Sequence, residues 1–183
     1  MHAFLISLVT VALAEIGDKT QLLSLVLTTK FRNKWAIILG ILASTLVNHA
    51  ASAWLGGWLA QYLQSSIGKW LLGGSFIALG LWLLIPDKDD GDDSAMQKYG
   101  AFVTTTVLFF LAEIGDKTQV ATVLLGAQYD SVFWVTMGTT LGMLLANVPV
   151  VLAGNYLMQR MPMKLAHWIA ALAFIVVGVV QLA

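Results

Sequence analysis

The eight residues AEIGDKTQ occur twice in this chain, first at positions 14–21 and again, without a substitution, at positions 112–119. The two copies are 98 positions apart (113 − 15). Each copy places two carboxylates and an ammonium directly after an uncharged stretch, which spans residues 3–14 in the first case and 101–112 in the second. Ionisable groups in an apolar segment are costly unless they are paired or functional. The duplicated motif therefore predicts where the chain carries out its chemistry.

The composition is that of a polytopic membrane protein. Of the 183 residues, 58% are hydrophobic and 11% are charged, with a mean hydropathy of +0.81, whereas a soluble domain is about 25% charged. The formal net charge of +0 argues against nucleic acid as a partner. The chain has no Cys, which excludes disulfides, thiolate metal sites and cysteine nucleophiles.

Six apolar segments can be read along the chain, at residues 3–28, 36–60, 67–85, 101–127, 132–158 and 165–182. Each is close to the roughly 20 residues that a helix needs to cross the hydrocarbon core of a bilayer. Because helices satisfy their own backbone hydrogen bonds in lipid, the predicted fold is all-α with six transmembrane helices. The motif interrupts the first and fourth segments near their middles, and its glycine favours a kink or local unwinding there.

The two halves of the chain are repeats of each other. Besides the motif, Gly80 matches Gly178 at an offset of 98, and Asn48 matches Asn147 at an offset of 99. An odd number of spans in each half inverts the second half relative to the first, an arrangement common among secondary transporters. We predict one transmembrane domain over residues 1–183, with repeat one at 1–86, an acidic cytoplasmic linker at 87–98 and repeat two at 99–183.

Basic residues are concentrated on one predicted side of the membrane. The loops that follow segments 1, 3 and 5 contain seven basic residues: Lys30, Arg32, Lys34, Lys88, Lys98, Arg160 and Lys164. The loops on the opposite side contain only Lys69. Loops rich in basic residues face the cytoplasm, so both termini are predicted to be non-cytoplasmic. The acidic stretch at 87–93 partly imitates a calcium loop but lacks its bidentate glutamate. We interpret it as a solvated linker, with a weak cation-collecting or regulatory role as the alternative.

The two motifs together predict a metal site. On a helix, the glutamate and aspartate of each copy lie on one face, and the lysine lies one turn from the glutamate, which it can neutralise. Inversion would bring the copies together near the membrane midplane, where four carboxylates and two ammoniums have a formal charge of −2. The candidate ligands are Glu15, Asp18, Gln21, Asn48, Glu113, Asp116, Gln119 and Asn147, and the supporting residues are Lys19, Thr20, Lys117 and Thr118. His49 is interpreted as a packed or pore-facing residue rather than a ligand.

The ligand types constrain the ion and the mechanism. Carboxylate and amide oxygens suit Mn²⁺, Ca²⁺ and Mg²⁺, whereas zinc and copper prefer His and Cys. Adjacent carboxylates repel one another, so some take up protons when the metal leaves, which predicts exchange of metal for protons. A passive cation channel with the same site is an alternative, and an exporter of small organic cations is a third. An enzyme is not expected, because no nucleophile–base pair or His-ligated metal site can be assembled.

Two Glu-x-Gly-Asp-Lys-Thr motifs in the first and fourth of six predicted spans resemble the hallmark of a family of small cation transporters of bacteria, thylakoids and the Golgi. The resemblance covers the whole chain and implies transport of Mn²⁺ or Ca²⁺ in exchange for protons, without a cofactor. By motif position it implies an ion site made of Glu15, Asp18, Lys19, Thr20, Glu113, Asp116, Lys117 and Thr118. The short linker resembles the bacterial form, which implies manganese export across the plasma (inner) membrane. The expected partners are a divalent cation and the lipid bilayer, and a homo-oligomer is left open.

Overall fold

A computed structural model of the chain describes residues 1–63, 65–85, 99–129, 131–154 and 163–182. Every regular element in these residues is an α-helix, as the composition predicts. In chain order they are α1 (His2–Ala14), α2 (Lys19–Lys30), α3 (Lys34–Ala60), α4 (Ser66–Leu83), α5 (Gly100–Glu113), α6 (Lys117–Gln128), α7 (Val132–Ala153) and α8 (Met163–Leu182). The predicted linker at 87–98, with Lys88 and Lys98, lies outside the described residues, as do Arg160 and the end of the fifth predicted segment at 155–158.

Both copies of the motif interrupt a helix. The first copy separates α1 from α2, and the second separates α5 from α6. Gly17 and Gly115, at equivalent positions in the two breaks, have φ angles of 83° and 73°. A glycine adopts this left-handed region at little cost, whereas any other residue is strained there. The predicted unwinding is confirmed, and each motif joins two half-length helices.

The prediction that the two carboxylates of each motif share one helical face is wrong, because the centre of the motif is not helical. Glu15 follows the last residue of α1, and Asp18 is the N-cap residue of α2 with an extended backbone. In the second copy, Glu113 ends α5 and Asp116 is the N-cap residue of α6. The direction of each side chain is therefore set by the break rather than by helical spacing.

The helices of the two halves make matched contacts. α4 lies along α8, α1 lies along α7, and α3 contacts both α5 and α6. Gly80 of α4 packs against Ile175 of α8, while Gly178 of α8 packs against Ile77 of α4. Gly178 lies 98 positions after Gly80, and Ile175 lies 98 positions after Ile77, so the two contacts are equivalent. The rings of Phe76 and Phe174 stack between the same helices with centroids 6.2 Å apart.

A second matched contact joins the long helices to the half-length helices. A Cβ added at Gly40 of α3 would lie 2.7 Å from Cβ of Thr105 in α5, and one added at Gly138 of α7 would lie 2.8 Å from Cβ of Ser7 in α1. Gly40 and Gly138 are 98 positions apart, one fewer than the offset of 99 that relates Asn48 of α3 to Asn147 of α7. Because no side chain larger than hydrogen fits at either glycine, the backbones approach closely at both places.

The surface of the bundle is strongly apolar. Large side chains such as Trp35, Trp54 and Trp70 are 72%, 64% and 66% exposed. Among the described residues, α3 and α7 are each long and apolar enough to cross a membrane, whereas other apolar helices are shorter. So broad an apolar surface fits contact with lipid better than contact with water. The number of membrane crossings stays a prediction.

The contact between α4 and α8 gives a first testable expectation. In the Gly178→Ala variant, the added Cβ would lie 2.6 Å from the carbonyl oxygen of Gly73 and 2.7 Å from the Ile77 side chain, so the helices must separate. We expect a loss of about 1–3 kcal/mol in the free energy of unfolding, measured as a lower melting temperature in detergent. Gly74→Ala is the matched control, because a Cβ there meets nothing within 4 Å. Equal melting temperatures for the two variants would refute the close packing.

Candidate metal centre

Three carboxylates from the two motifs meet inside the bundle. Oxygen atoms of Glu15, Glu113 and Asp116 all lie within 4.8 Å of one another, and the three residues are 0%, 0% and 3% exposed. The Oε1 atoms of both glutamates have no hydrogen-bond partner among the described residues. Buried polar atoms are normally paired, so this group is arranged for a ligand that the described part of the chain does not itself supply. Asp18 is also buried but is not part of the group.

Each glutamate is oriented by a threonine five residues later in the chain. The Thr20 hydroxyl donates to Oε2 of Glu15 over 2.5 Å. Thr118 Oγ1 lies 3.1 Å from Oε2 of Glu113 and 3.1 Å from Oδ2 of Asp116. Because these bonds occupy the Oε2 atoms, the Oε1 atoms are left for a ligand. Both threonines, which were predicted as supporting residues, therefore contact the carboxylates directly.

The two motif lysines have different surroundings. Nζ of Lys19 forms an ion pair with Oδ1 of Asp116 at 2.9 Å, which joins the first motif to the second. Nζ of Lys117 donates to the carbonyl oxygen of Ile85, just beyond the end of α4. Helical spacing predicted an ion pair between Lys19 and Glu15 of the same motif. It could not predict the observed ion pair with Asp116 of the other motif. The two lysines, which occupy equivalent positions in the two motifs, therefore have different surroundings in this structure.

The glutamines of the motifs stabilise the breaks. Oε1 of Gln21 accepts a hydrogen bond from the backbone N–H of Gly17, and Oε1 of Gln119 accepts one from Gly115, both over 2.7 Å. Nε2 of Gln21 also donates to the carbonyl oxygen of Ala146 in α7. The side-chain oxygens that would bind a cation are thus engaged in holding the loop. Their role as ligands stays a prediction.

The two repeated asparagines connect the long helices to the half-length helices. Asn48 of α3 donates to the carbonyl oxygen of Phe110 in α5 over 3.2 Å. Oδ1 of Asn147 in α7 accepts from the hydroxyl of Ser24 in α2 over 2.9 Å, and its Nδ2 donates to Met143 of its own helix. Both amides are buried. Each amide therefore ties a long helix to a half-length helix, and the role of both as metal ligands stays a prediction.

Four helix ends meet at the breaks. The carboxyl ends of α1 and α5 carry partial negative charge, which favours a cation, and the amino ends of α2 and α6 carry partial positive charge, which favours ionised aspartates. Asp116 is the N-cap residue of α6, and its Oδ2 accepts from the backbone N–H of Thr118 over 3.3 Å. Discontinuous helices with this arrangement bind substrate and coupling ions in many secondary transporters.

His49, which the sequence indicated as a packed or pore-facing residue, lies beside the carboxylates. Its side chain is fully buried in α3, and its Nε2 lies 3.9 Å from Oε2 of Glu113. The sequence feature that could have indicated this location is its position directly after Asn48, one of the two repeated polar residues of the long helices. A single histidine in an apolar segment did not distinguish a ligand from a packed side chain.

Comparisons with known proteins place the chain in one family. The model of the family described as "Divalent cation/proton antiporter GDT1" matches residues 3–91 and 101–183. A protein of Vibrio cholerae serotype O1 named "Putative manganese exporter" is 53% identical over 97% of this chain and 89% of its own length. A GDT1-like protein of Synechocystis is 25% identical over 99% of this chain and 97% of its own length.

A GDT1-like protein of Oryza sativa is 27% identical, with 99% of this chain and 94% of the relative covered. No solved structure matches the chain. The family model covers nearly all of the chain, and the Vibrio relative matches 97% of it. The chain therefore belongs to the GDT1 family of divalent cation/proton antiporters.

Proposed function

We propose that the protein exports Mn²⁺ across the plasma membrane in exchange for protons, with Ca²⁺ as an alternative ion. The observation that carries this proposal is the buried group of Glu15, Glu113 and Asp116 with its unpartnered oxygens. Oxygen ligands favour hard divalent cations such as Mn²⁺ and Ca²⁺. The name of the Vibrio relative supports manganese, and the family description supports proton exchange.

The charge of the site suggests how metal and protons alternate. Three carboxylates and the ammonium of Lys19 give a formal charge of −3 + 1 = −2. One divalent cation neutralises that charge, and so do two protons. Since uncompensated charge is costly in a buried site, the site is occupied either by metal or by protons. We propose an exchange of one metal ion for two protons, which moves no net charge.

We further propose six membrane crossings arranged as two inverted three-helix repeats. The first crossing would combine α1 with α2 and the fourth would combine α5 with α6, so that both motifs lie near the midplane. The matched packing of Gly80 and Gly178, at positions 98 apart, supports a two-fold relation between the halves. Repeat one would be 1–86 and repeat two 99–183, joined by the linker at 87–98.

The positive loops favour termini outside the cytoplasm. Because the chain has no Cys, a single introduced cysteine reports its own side of the membrane. An Arg32→Cys variant should react with an impermeant thiol reagent only after the cells are opened. Reaction in intact spheroplasts would reverse the proposed orientation.

Transport by the purified protein in proteoliposomes tests the proposed function. Vesicles with an acidic lumen should take up Mn²⁺ while their luminal pH rises. The rate of Mn²⁺ uptake should increase with the size of the pH gradient. A passive channel would instead carry a current that is indifferent to the gradient. The full burial of both glutamates favours a carrier over an open pore. Flux of Ca²⁺ without Mn²⁺ would keep the exchange mechanism and change the ion, and no flux of either would refute the proposal.

The Thr118 hydroxyl gives a second prediction. In Thr118→Val, Glu113 and Asp116 lose the hydroxyl that lies 3.1 Å from both, while the shape of the side chain is nearly kept. Loss of a group that orients metal ligands typically costs about 10–100-fold in affinity, so the Mn²⁺ concentration at half-maximal transport should rise by about tenfold or more. Thr106→Val is the control, because the hydroxyl of the half-buried Thr106 donates to the carbonyl oxygen of Phe102 in its own helix. If both variants transport alike, the hydroxyl does not orient the ligands.

A further inference from the structure

His49 is the one fully buried imidazole in the described part of the chain. Its exposed fraction is 0%, and neither Nδ1 nor Nε2 has a hydrogen-bond partner there. A buried imidazole normally satisfies at least one ring nitrogen. Packing alone therefore does not account for a histidine at this place, since a leucine would fill the same space without stranding two polar atoms.

The ring nitrogen Nε2 lies near the carboxylate of Glu113. Nε2 lies 3.9 Å from Oε2 of Glu113, which is too far for a hydrogen bond. The same carboxylate has the unpartnered Oε1 atom. The imidazole nitrogen therefore lies beside the group of oxygens that we propose as the metal site.

The imidazole also breaks the symmetry of the site. At the offset of 99 that relates Asn48 to Asn147, the equivalent of His49 is Val148. Most candidate ligands occur once in each repeat, whereas this nitrogen occurs only in the first. A site built from both repeats would then contain one nitrogen among its oxygens.

A nitrogen ligand changes which ion is favoured. Oxygen ligands alone suit Ca²⁺, Mg²⁺ and Mn²⁺ alike, whereas imidazole is a ligand of transition metals. Mn²⁺ is the transition metal among the three. A single imidazole beside three carboxylates would raise affinity for Mn²⁺ relative to the alkaline-earth ions.

We propose that Nε2 of His49 binds the transported cation together with Glu15, Glu113 and Asp116, and thereby selects Mn²⁺ over Ca²⁺ and Mg²⁺. This inference rests on the proposed transport function, because it assigns one more ligand to the same site. It makes His49 a specificity-determining residue, and the neutral ring nitrogen is the atom that binds.

Pulsed electron paramagnetic resonance of bound Mn²⁺ tests the ligand without a mutation. The wild-type protein is loaded with one equivalent of Mn²⁺ after growth with either ordinary or ¹⁵N-labelled histidine. We expect a ¹⁴N coupling that changes to a ¹⁵N coupling on labelling. The His49→Gln variant should lose the coupling, and His2→Gln, at the exposed start of α1, should keep it. Bound Mn²⁺ without a histidine coupling, or a coupling that survives His49→Gln, would overturn the inference.

Ion selectivity in proteoliposomes tests the consequence. We expect His49→Gln to reduce the preference for Mn²⁺ over Ca²⁺ by at least about tenfold, since loss of a group that only orients a metal ligand already costs about 10–100-fold in affinity, while His2→Gln leaves the preference unchanged. An unchanged preference, or equal losses for both ions, would overturn a role in selectivity. If the wild type transports neither ion, the proposed function itself has failed, and this outcome differs from wild-type transport with unaltered selectivity in His49→Gln.

Discussion

Glu113→Gln is expected to abolish the exchange of Mn²⁺ for protons. Glutamine keeps the shape of the side chain and can still accept from Thr118, but the formal charge of the site falls from −2 to −1. A divalent cation would then leave an uncompensated positive charge in a fully buried position, which is strongly unfavourable. Because the loss of an orienting group already costs about 10–100-fold, the loss of a charged ligand should cost at least about a hundredfold.

Two comparisons make this expectation specific. Glu15→Gln should have the same effect, because the glutamates come from equivalent positions and each has an unpartnered Oε1. Asp92→Asn removes a carboxylate of the predicted linker and should leave transport unchanged. Circular dichroism and gel filtration of each variant establish that it is folded. Substantial pH-driven Mn²⁺ uptake by folded Glu113→Gln would exclude this residue from the site.

Asp116→Asn is expected to have an effect of similar size, for a reason that involves both repeats. Asp116 pairs with Lys19 of the first motif at 2.9 Å and lies 3.1 Å from the Thr118 hydroxyl. The amide removes one negative charge but leaves the ammonium in place, so the site again has a formal charge of −1. Transport should fall by about a hundredfold or more, as measured by the initial rate of Mn²⁺ uptake.

The double variant Lys19→Met/Asp116→Asn separates charge from shape. Removing the ammonium as well restores a formal charge of −2, now supplied by the two glutamates alone. We expect the double variant to transport about tenfold faster than Asp116→Asn, because charges in contact are energetically coupled. Lys30→Met, at the end of α2 and away from the carboxylates, should give no such recovery in the same background. If neither lysine substitution restores transport, the charge balance at the site is not what controls metal binding.

Much of the fold follows from the duplicated motif and the apolar segments. Helical structure, the interruption of the first and fourth segments and the burial of the motif carboxylates were all predicted, because each depends on local composition. Gly17 and Gly115 have the conformation that favours glycine, so the break is encoded within the motif itself. Matched packing at Gly80 and Gly178 likewise follows from residues that are visibly repeated.

The geometry within the site was less predictable. Helical spacing placed Glu15 and Asp18 on one face, which was wrong because the chain leaves the helix between them. Cross-repeat contacts such as Lys19 with Asp116 depend on how the two halves dock, and spacing along one segment contains no information about docking. The position of His49 near Glu113 could not be predicted for the same reason, since it depends on the packing of α3 against α5.

We propose that both motifs together build a single metal site. Titration of the purified protein with Mn²⁺, monitored by electron paramagnetic resonance of the free ion, is the decisive test. We expect one Mn²⁺ bound per chain in the wild type, and loss of that binding in Glu15→Gln as well as in Glu113→Gln, since each motif supplies an indispensable charge. Two ions bound per wild-type chain, with one retained in each single variant, would contradict a shared site and would mean that each motif binds metal on its own.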